Sequence, residues 1–202
     1  SNRFNTQDVS LSIPAGSLYD TLYFKYRKTA GSTTAVFGVH YIHDEFTPVH
    51  KAYTLSIKPS VIPEGKESKM IIIQLSDDFK KSALNSSFDD GIVTAKPSSF
   101  GMFCVGIDTI PPVISSNGMT PGIDLSGEKE IRIKIYDDLA GINSYEPTLD
   151  GNWALFEYDQ KNNVLIYRFD PERIDKDTTH NLKLKVSDNV GNMSFYKCDF
   201  TW

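Results

Sequence analysis

Cysteine is scarce in this sequence, and so are long apolar runs, helical periodicity and clustered positive charge; each shortage removes a class of protein. Two cysteines in 202 residues cannot form a disulfide framework. Cys104, in Met-Phe-Cys-Val, and Cys198, in Tyr-Lys-Cys-Asp-Phe, match no metal or redox motif, so the reading is two unpaired, buried thiols in different domains. No apolar stretch approaches the roughly 18 residues of a membrane span. The start, Ser1-Asn2-Arg3-Phe4-Asn5, lacks a signal-peptide pattern and reads as a mature or truncated piece. With 21 Lys and Arg against 26 Asp and Glu, a net charge of -5 and scattered cations, a nucleic-acid or anionic-membrane partner is excluded.

What is present is a period of two, the mark of strands. In the first half it picks out 9–13, 18–26, 35–42, 52–57, 70–75, 91–95 and 100–107, enough for one sandwich. Ala30-Gly31-Ser32, Pro63-Glu64-Gly65, Asp89-Asp90-Gly91 and Lys96-Pro97-Ser98-Ser99 separate them with turn composition. Within 76–88, the segment from Phe79 to Leu84 reads as a single helical turn.

Asp108-Thr109-Ile110-Pro111-Pro112 removes two backbone donors and holds the chain extended, which marks a domain boundary. The expected domains are 1–107 and 108–202. Beyond the boundary, strands are expected at 113–115, 130–136, 144–149, 153–159, 164–169, 182–187 and 194–200, with hairpin turns at Asp150-Gly151-Asn152 and Lys161-Asn162-Asn163. Two stretches echo each other: Ile131 to Tyr136 followed by Asp137-Asp138-Leu-Ala-Gly141, and Leu182 to Ser187 followed by Asp188-Asn189-Val-Gly191-Asn192. Each alternates aliphatic with cationic residues and ends in an acidic turn, as two strands with one buried and one wet face would.

Together, Asp108-Thr-Ile-Pro-Pro112, Tyr136-Asp-Asp-Leu-Ala-Gly-Ile142, Asp150-Gly-Asn-Trp153 and Ser187-Asp-Asn-Val-Gly-Asn192 resemble the bacterial Ig-like domains of envelope and adhesin-type proteins. With Ile13-Pro-Ala-Gly-Ser-Leu-Tyr-Asp20 and Ser99-Phe-Gly-Met-Phe103 added, the whole chain resembles the non-catalytic C-terminal region of lysostaphin/LytM-type zinc metallopeptidases of Bacteroidetes-like bacteria. The resemblance implies an all-β fold of two tandem immunoglobulin-like β-sandwich domains. It also implies an extracytoplasmic location, in the periplasm or on the surface of a Gram-negative bacterium. The partner it implies is the catalytic domain of the same parent chain, or an envelope protein or glycan.

Of that family's zinc ligands, the His-x-His element is absent, and His40-Tyr-Ile-His43-Asp44 imitates the other. On a strand, about 3.3 Å per residue separates His40 from Asp44 by about 13 Å, too far for one zinc, and His43 faces the other way. No nucleophile elbow, phosphate loop or zinc helix is present, so no catalytic residue and no bound cofactor are expected, and the chain reads as a non-enzyme that holds, spaces or binds. Calcium is the metal that the acidic turns suit: Asp108, Asp137, Asp138 and Asp188 would supply hard oxygen ligands if the boundary passes the two echoed turns, although Asp side chains in turns commonly bond their own backbone. Tyr145, Trp153 and Tyr158 are the candidate binding aromatics. With 153–159 taken as one strand carrying apolar groups on both faces, Trp153 is expected to pack a core rather than form an exposed sugar platform.

Overall fold

A computed structural model describes residues 1–30, 37–78 and 80–202. Among them there is no α-helix, and one 3-10 turn, at Glu67–Lys69; the rest is strand, turn and loop. The chain divides into two compact units, Ser1–Thr109 and Ile110–Trp202.

In the first unit, β1 (Asn2–Asn5), β2 (Val9–Ile13), β5 (Thr54–Ile57), β9 (Ile92–Ala95) and β8 (Ser86–Asp89) form one sheet, in the order β1-β2-β5-β9-β8. β3 (Tyr26–Thr29), β4 (Val39–Ile42), β10 (Gly101–Ile107), β6 (Met70–Leu75) and β7 (Lys81–Ala83) form the other, in the order β3-β4-β10-β6-β7. Every pairing in these two sheets is antiparallel. Alternate residues of both sheets fill one core, with Val9, Leu11, Leu55, Ile57 and Val93 from one and Ile42, Ile72, Phe103 and Val105 from the other. The unbroken apolar run Met70-Ile-Ile-Ile73 follows from position: β6 and β10 are central strands and bury both faces.

Two expectations change here. The stretch 18–26 is a strand only at its end, where Tyr26 opens β3; Leu18 makes an isolated bridge to Val49. Leu18, Leu22 and Phe24 still pack against the core, so the apolar spacing reports burial, and a strand also needs a partner for its backbone. The helical turn expected from Phe79 is instead strand at Lys81–Ala83, paired with β6, with Phe79 itself outside the described residues. Residues 31–36, which hold part of the Ala30-Gly31-Ser32 turn and the start of the 35–42 strand, also lie outside them.

The second unit has a sheet β11-β13-β17-β16 made of β11 (Val113–Ser115), β13 (Glu130–Tyr136), β17 (Val164–Arg168) and β16 (Glu157–Asp159). Its other sheet, β12-β19-β18-β14-β15, is made of β12 (Ile123–Asp124), β19 (Met193–Thr201), β18 (Thr179–Asp188), β14 (Ile142–Leu149) and β15 (Asn152–Trp153). β12 runs parallel to β19, and the other neighbours are antiparallel. Ile131, Ile133 and Ile135 face Leu182, Leu184, Val186 and Phe200 across a core that Leu165, Phe156 and Trp202 complete.

The stretch 153–159 is not one strand. Trp153 ends β15 in one sheet and Glu157 begins β16 in the other, so the chain crosses between sheets at 154–156 and drops Phe156 into the core. The left-handed backbone that a tight hairpin needs is present at Asp150 (φ 51°) and Gly151 (φ 82°) before β15, and at Asn163 (φ 56°) before β17.

Candidate functional site

The two echoed turns fold alike. Asp137 Oδ1 accepts the backbone N–H of Leu139 at 3.0 Å and of Gly141 at 2.8 Å. Asp188 Oδ1 accepts those of Val190 at 2.9 Å and Asn192 at 2.8 Å, the same two offsets, while Asp188 Oδ2 takes the Asn192 side-chain amide at 2.6 Å. The turns are joined to each other, since Asn189 donates its backbone N–H to Gly141 O at 3.2 Å and its side-chain amide to Ala140 O at 2.7 Å. A short polar side chain closing its own turn is the elementary use of Asp in loops.

Of the four calcium candidates from sequence, one belongs to the first unit and three to the second. Asp108 is buried in the first unit, where its N–H donates to Lys69 O at 2.9 Å. Asp137 and Asp188 each offer a carboxylate oxygen within 4.8 Å of the other, both in the second unit. Asp138 is exposed and stands outside that group. Asp137 and Asp188 close their turns with carboxylate oxygens, the hard type of ligand that calcium takes.

The three aromatics divide, and the expectation for Trp153 is overturned. Tyr145 packs against the second core and donates its hydroxyl to Phe156 O at 3.3 Å; its ring lies 5.7 Å from that of Tyr158, which donates to Asn163 Oδ1 at 3.3 Å. Trp153 is 71% exposed. The cause is register: Trp153 stands opposite Thr148 on β14, Thr148 opposite Lys183 on β18, and Lys183 opposite Lys197 on β19. Cross-strand partners share a face, and the neighbours Leu149, Leu182 and Cys198 occupy the core face, which leaves the Trp153 row on the outer one. The tryptophan that does pack this core is Trp202.

One step along the same face lies the row Glu146, Lys185, Phe195, and after it Ser187 and Met193. Phe195 is 72% exposed. A shallow groove of about 390 Å³ runs here, lined by Thr148, Lys183, Lys185, Phe195 and Lys197 among others. Lys185 is held by Glu146 at 3.2 Å, whereas Lys183 and Lys197 make no ion pair among the described residues. Phe195 is not among the aromatics expected from sequence, although the alternation of Phe195 and Lys197 against Tyr196 and Cys198 carries the signal of its face.

His40 of the zinc-like pattern is engaged elsewhere. His40 is buried on β4 with Nδ1 3.0 Å from the Tyr26 hydroxyl, and burial, helped by the nearby Lys28 ammonium, drives its pKa down to about 4. β4 ends at Ile42, and His43, left-handed at φ 55°, turns the chain before Asp44, so the extended spacing does not reach the aspartate. Asp44 closes its own turn on the N–H of Phe46 at 3.0 Å. His50 Nδ1 lies 3.0 Å from the Tyr19 hydroxyl.

Two features escaped the sequence reading. Buried His180 bridges Asp150 Oδ2 (2.7 Å from Nδ1) and Asp175 O (2.8 Å from Nε2), tying the β14–β15 hairpin to the chain that enters β18. Burial raises the Asp150 carboxyl, but the Asn181 N–H and His180 outweigh it and hold the pKa below the ordinary value. In the first unit a cavity of about 610 Å³ lies among Arg3, Phe4, Ile13, Leu18 and Phe24, with the fully buried Ser17 on its wall.

Mainly antiparallel sheets stacked about apolar cores define an all-β protein of the β-sandwich class. Residues 1–108 match the Zu5-like domain, and the chain belongs to that family. No curated protein matches the chain.

Proposed function

We propose that the chain is a non-catalytic binding and spacing region of a secreted cell-envelope protein, and that its second unit, an Ig-like domain, makes the contact with glycan. The observation that carries this reading is Trp153, 71% exposed and held in a cross-strand row on the outer face of a rigid sheet. Leaving so large a ring in water costs stability that its burial would return, about 2 kcal/mol, so the fold gives up that gain at this position. Flat aromatic rings on a rigid sheet suit the apolar faces of sugar rings.

The resemblance to the C-terminal region of LytM-type peptidases supports an envelope setting, with the chain beside a peptidoglycan peptidase domain of the same parent. The turn motif Ser187 to Asn192, which closes in the structure by the Asp188 bonds above, supports the Ig-like reading of the second unit. In this role the chain hydrolyses nothing by itself, since the only zinc-like spacing, at His40, is spent on a buried contact with Tyr26.

The test is co-sedimentation of the purified chain with washed cell-wall sacculi, alongside a peptidase assay with added Zn²⁺. Binding without turnover, weakened in Trp153→Ala, is the expected result. Turnover lost in His40→Ala, or wall binding that Trp153→Ala leaves untouched, would overturn the reading.

A further inference from the structure

We infer that the outer face of the β12-β19-β18-β14-β15 sheet takes an acidic glycan, its sugar rings on Trp153 and Phe195 and its carboxylates or sulfates on Lys183 and Lys197. This rests on the glycan reading above and adds the charge class of the ligand. Lys183 and Lys197 stand directly opposite each other on β18 and β19, both exposed, and neither makes an ion pair among the described residues. Like charges facing across an antiparallel pair destabilise the sheet. The neighbouring pair shows the usual remedy, for Lys185 stands opposite Glu146 and holds it at 3.2 Å. On a chain of net charge -5, two uncompensated cations set face to face make a local site for an anion.

The apolar groups decide which anion. Phe195, 72% exposed, sits one position along β19 from the lysine pair on the same face, with Met193, 48% exposed, beyond it. Trp153 stands at the far end of the Lys183 row, two strands from β18. At about 4.8 Å between strands, Trp153 and Lys197 lie about 14 Å apart. The two cations and Phe195 line a shallow groove of about 390 Å³, and Trp153 stands outside it at the edge of the same sheet face. A pair of cations flanked by two rings matches a chain of flat, partly apolar units that bear negative charge. An acidic peptide would be expected at a strand edge, where it gains main-chain hydrogen bonds, and this surface is a sheet face.

The experiment is titration calorimetry of the full 202-residue chain at low and high salt with four probes: oligogalacturonate, its methyl ester, a sulfated heparin oligosaccharide and poly-glutamate. Binding of either acidic glycan that falls as salt rises is expected, with the methyl ester about tenfold weaker than its parent acid. Trp153→Ala and Phe195→Ala should each weaken it about tenfold, and the double charge reversal Lys183→Glu, Lys197→Glu should abolish it. All four positions are exposed, so unchanged melting shows that the variants fold. Binding of the methyl ester equal to that of the acid, insensitive to the lysines, overturns the acidic class and leaves the glycan reading standing. Poly-glutamate binding as tight as the sugars and indifferent to Trp153→Ala overturns both, whereas binding of none of the four probes overturns the acidic class alone and leaves the glycan reading to the sacculi test.

Discussion

His40 and Asp188 show how single side chains set the behaviour of their units. The folded state holds the His40 pKa near 4 because burial disfavours the imidazolium, while an unfolded histidine titrates near its ordinary 6.5. Between those values the unfolded chain binds a proton that the folded one refuses, so stability rises with pH across the window. It is fully present above about 6.5 and lost as the pH falls through 4, by about 3 kcal/mol at most. Denaturant titrations of the chain and of His40→Gln from pH 4 to 7 check this; the variant's stability should vary less with pH, and parallel curves would refute the assignment. Asp188 is 1% exposed and takes two backbone N–H groups and the Asn192 amide. Asp188→Ala leaves those donors buried and should cost about 2–4 kcal/mol. If turn closure is its main task, the loss is the same in chelator as in millimolar Ca²⁺; a melting shift by Ca²⁺ that disappears in Asp188→Ala would instead assign it to a metal.

Elements were legible where one physical signal sufficed and illegible where two competed. β13 and β18 announced themselves by strict alternation, and their acidic turns by composition; the hydrogen bonds of Asp137 and Asp188 give the echo a single cause. The all-β class followed from the same periodicity. Alternation cannot assign faces across 153–159, because the chain changes sheets there: Trp153, Phe156 and Tyr158 are close in sequence but answer to three different environments. The candidate site was legible only as residue types. Its geometry comes from the register of β14, β18 and β19, which no local pattern encodes. That register is pinned by the Asp150-Gly151 turn. Gly151 has φ 82° and nothing within 4 Å of an added Cβ, so Gly151→Ala meets conformational strain and no clash. It should cost about 1–2 kcal/mol in the second unit's unfolding free energy. A neutral effect would mean that the hairpin does not need this conformation.

Each unit holds one apolar core drawn from its own residues, and each core carries one thiol beside it: Cys104 on β10 and Cys198 on β19, both free and buried. Burial raises the Cys104 thiol to about 11, so little of it is thiolate at neutral pH even when a reagent reaches it. Native protein should therefore react slowly with a thiol reagent and take up two equivalents once unfolded, without reductant. The same two groups act as separate reporters, because a buried thiol reacts only through an opening that exposes it. Leu184→Ala removes a fully packed side chain from the second core and should cost about 2–5 kcal/mol there. In mild denaturant it should accelerate labelling of Cys198 by at least about tenfold while Cys104 keeps its rate, as mass spectrometry of the two cysteine peptides would read. Ile72→Ala should do the reverse. Equal acceleration of both thiols by either substitution would show that the two cores unfold as one cooperative unit and would defeat the prediction.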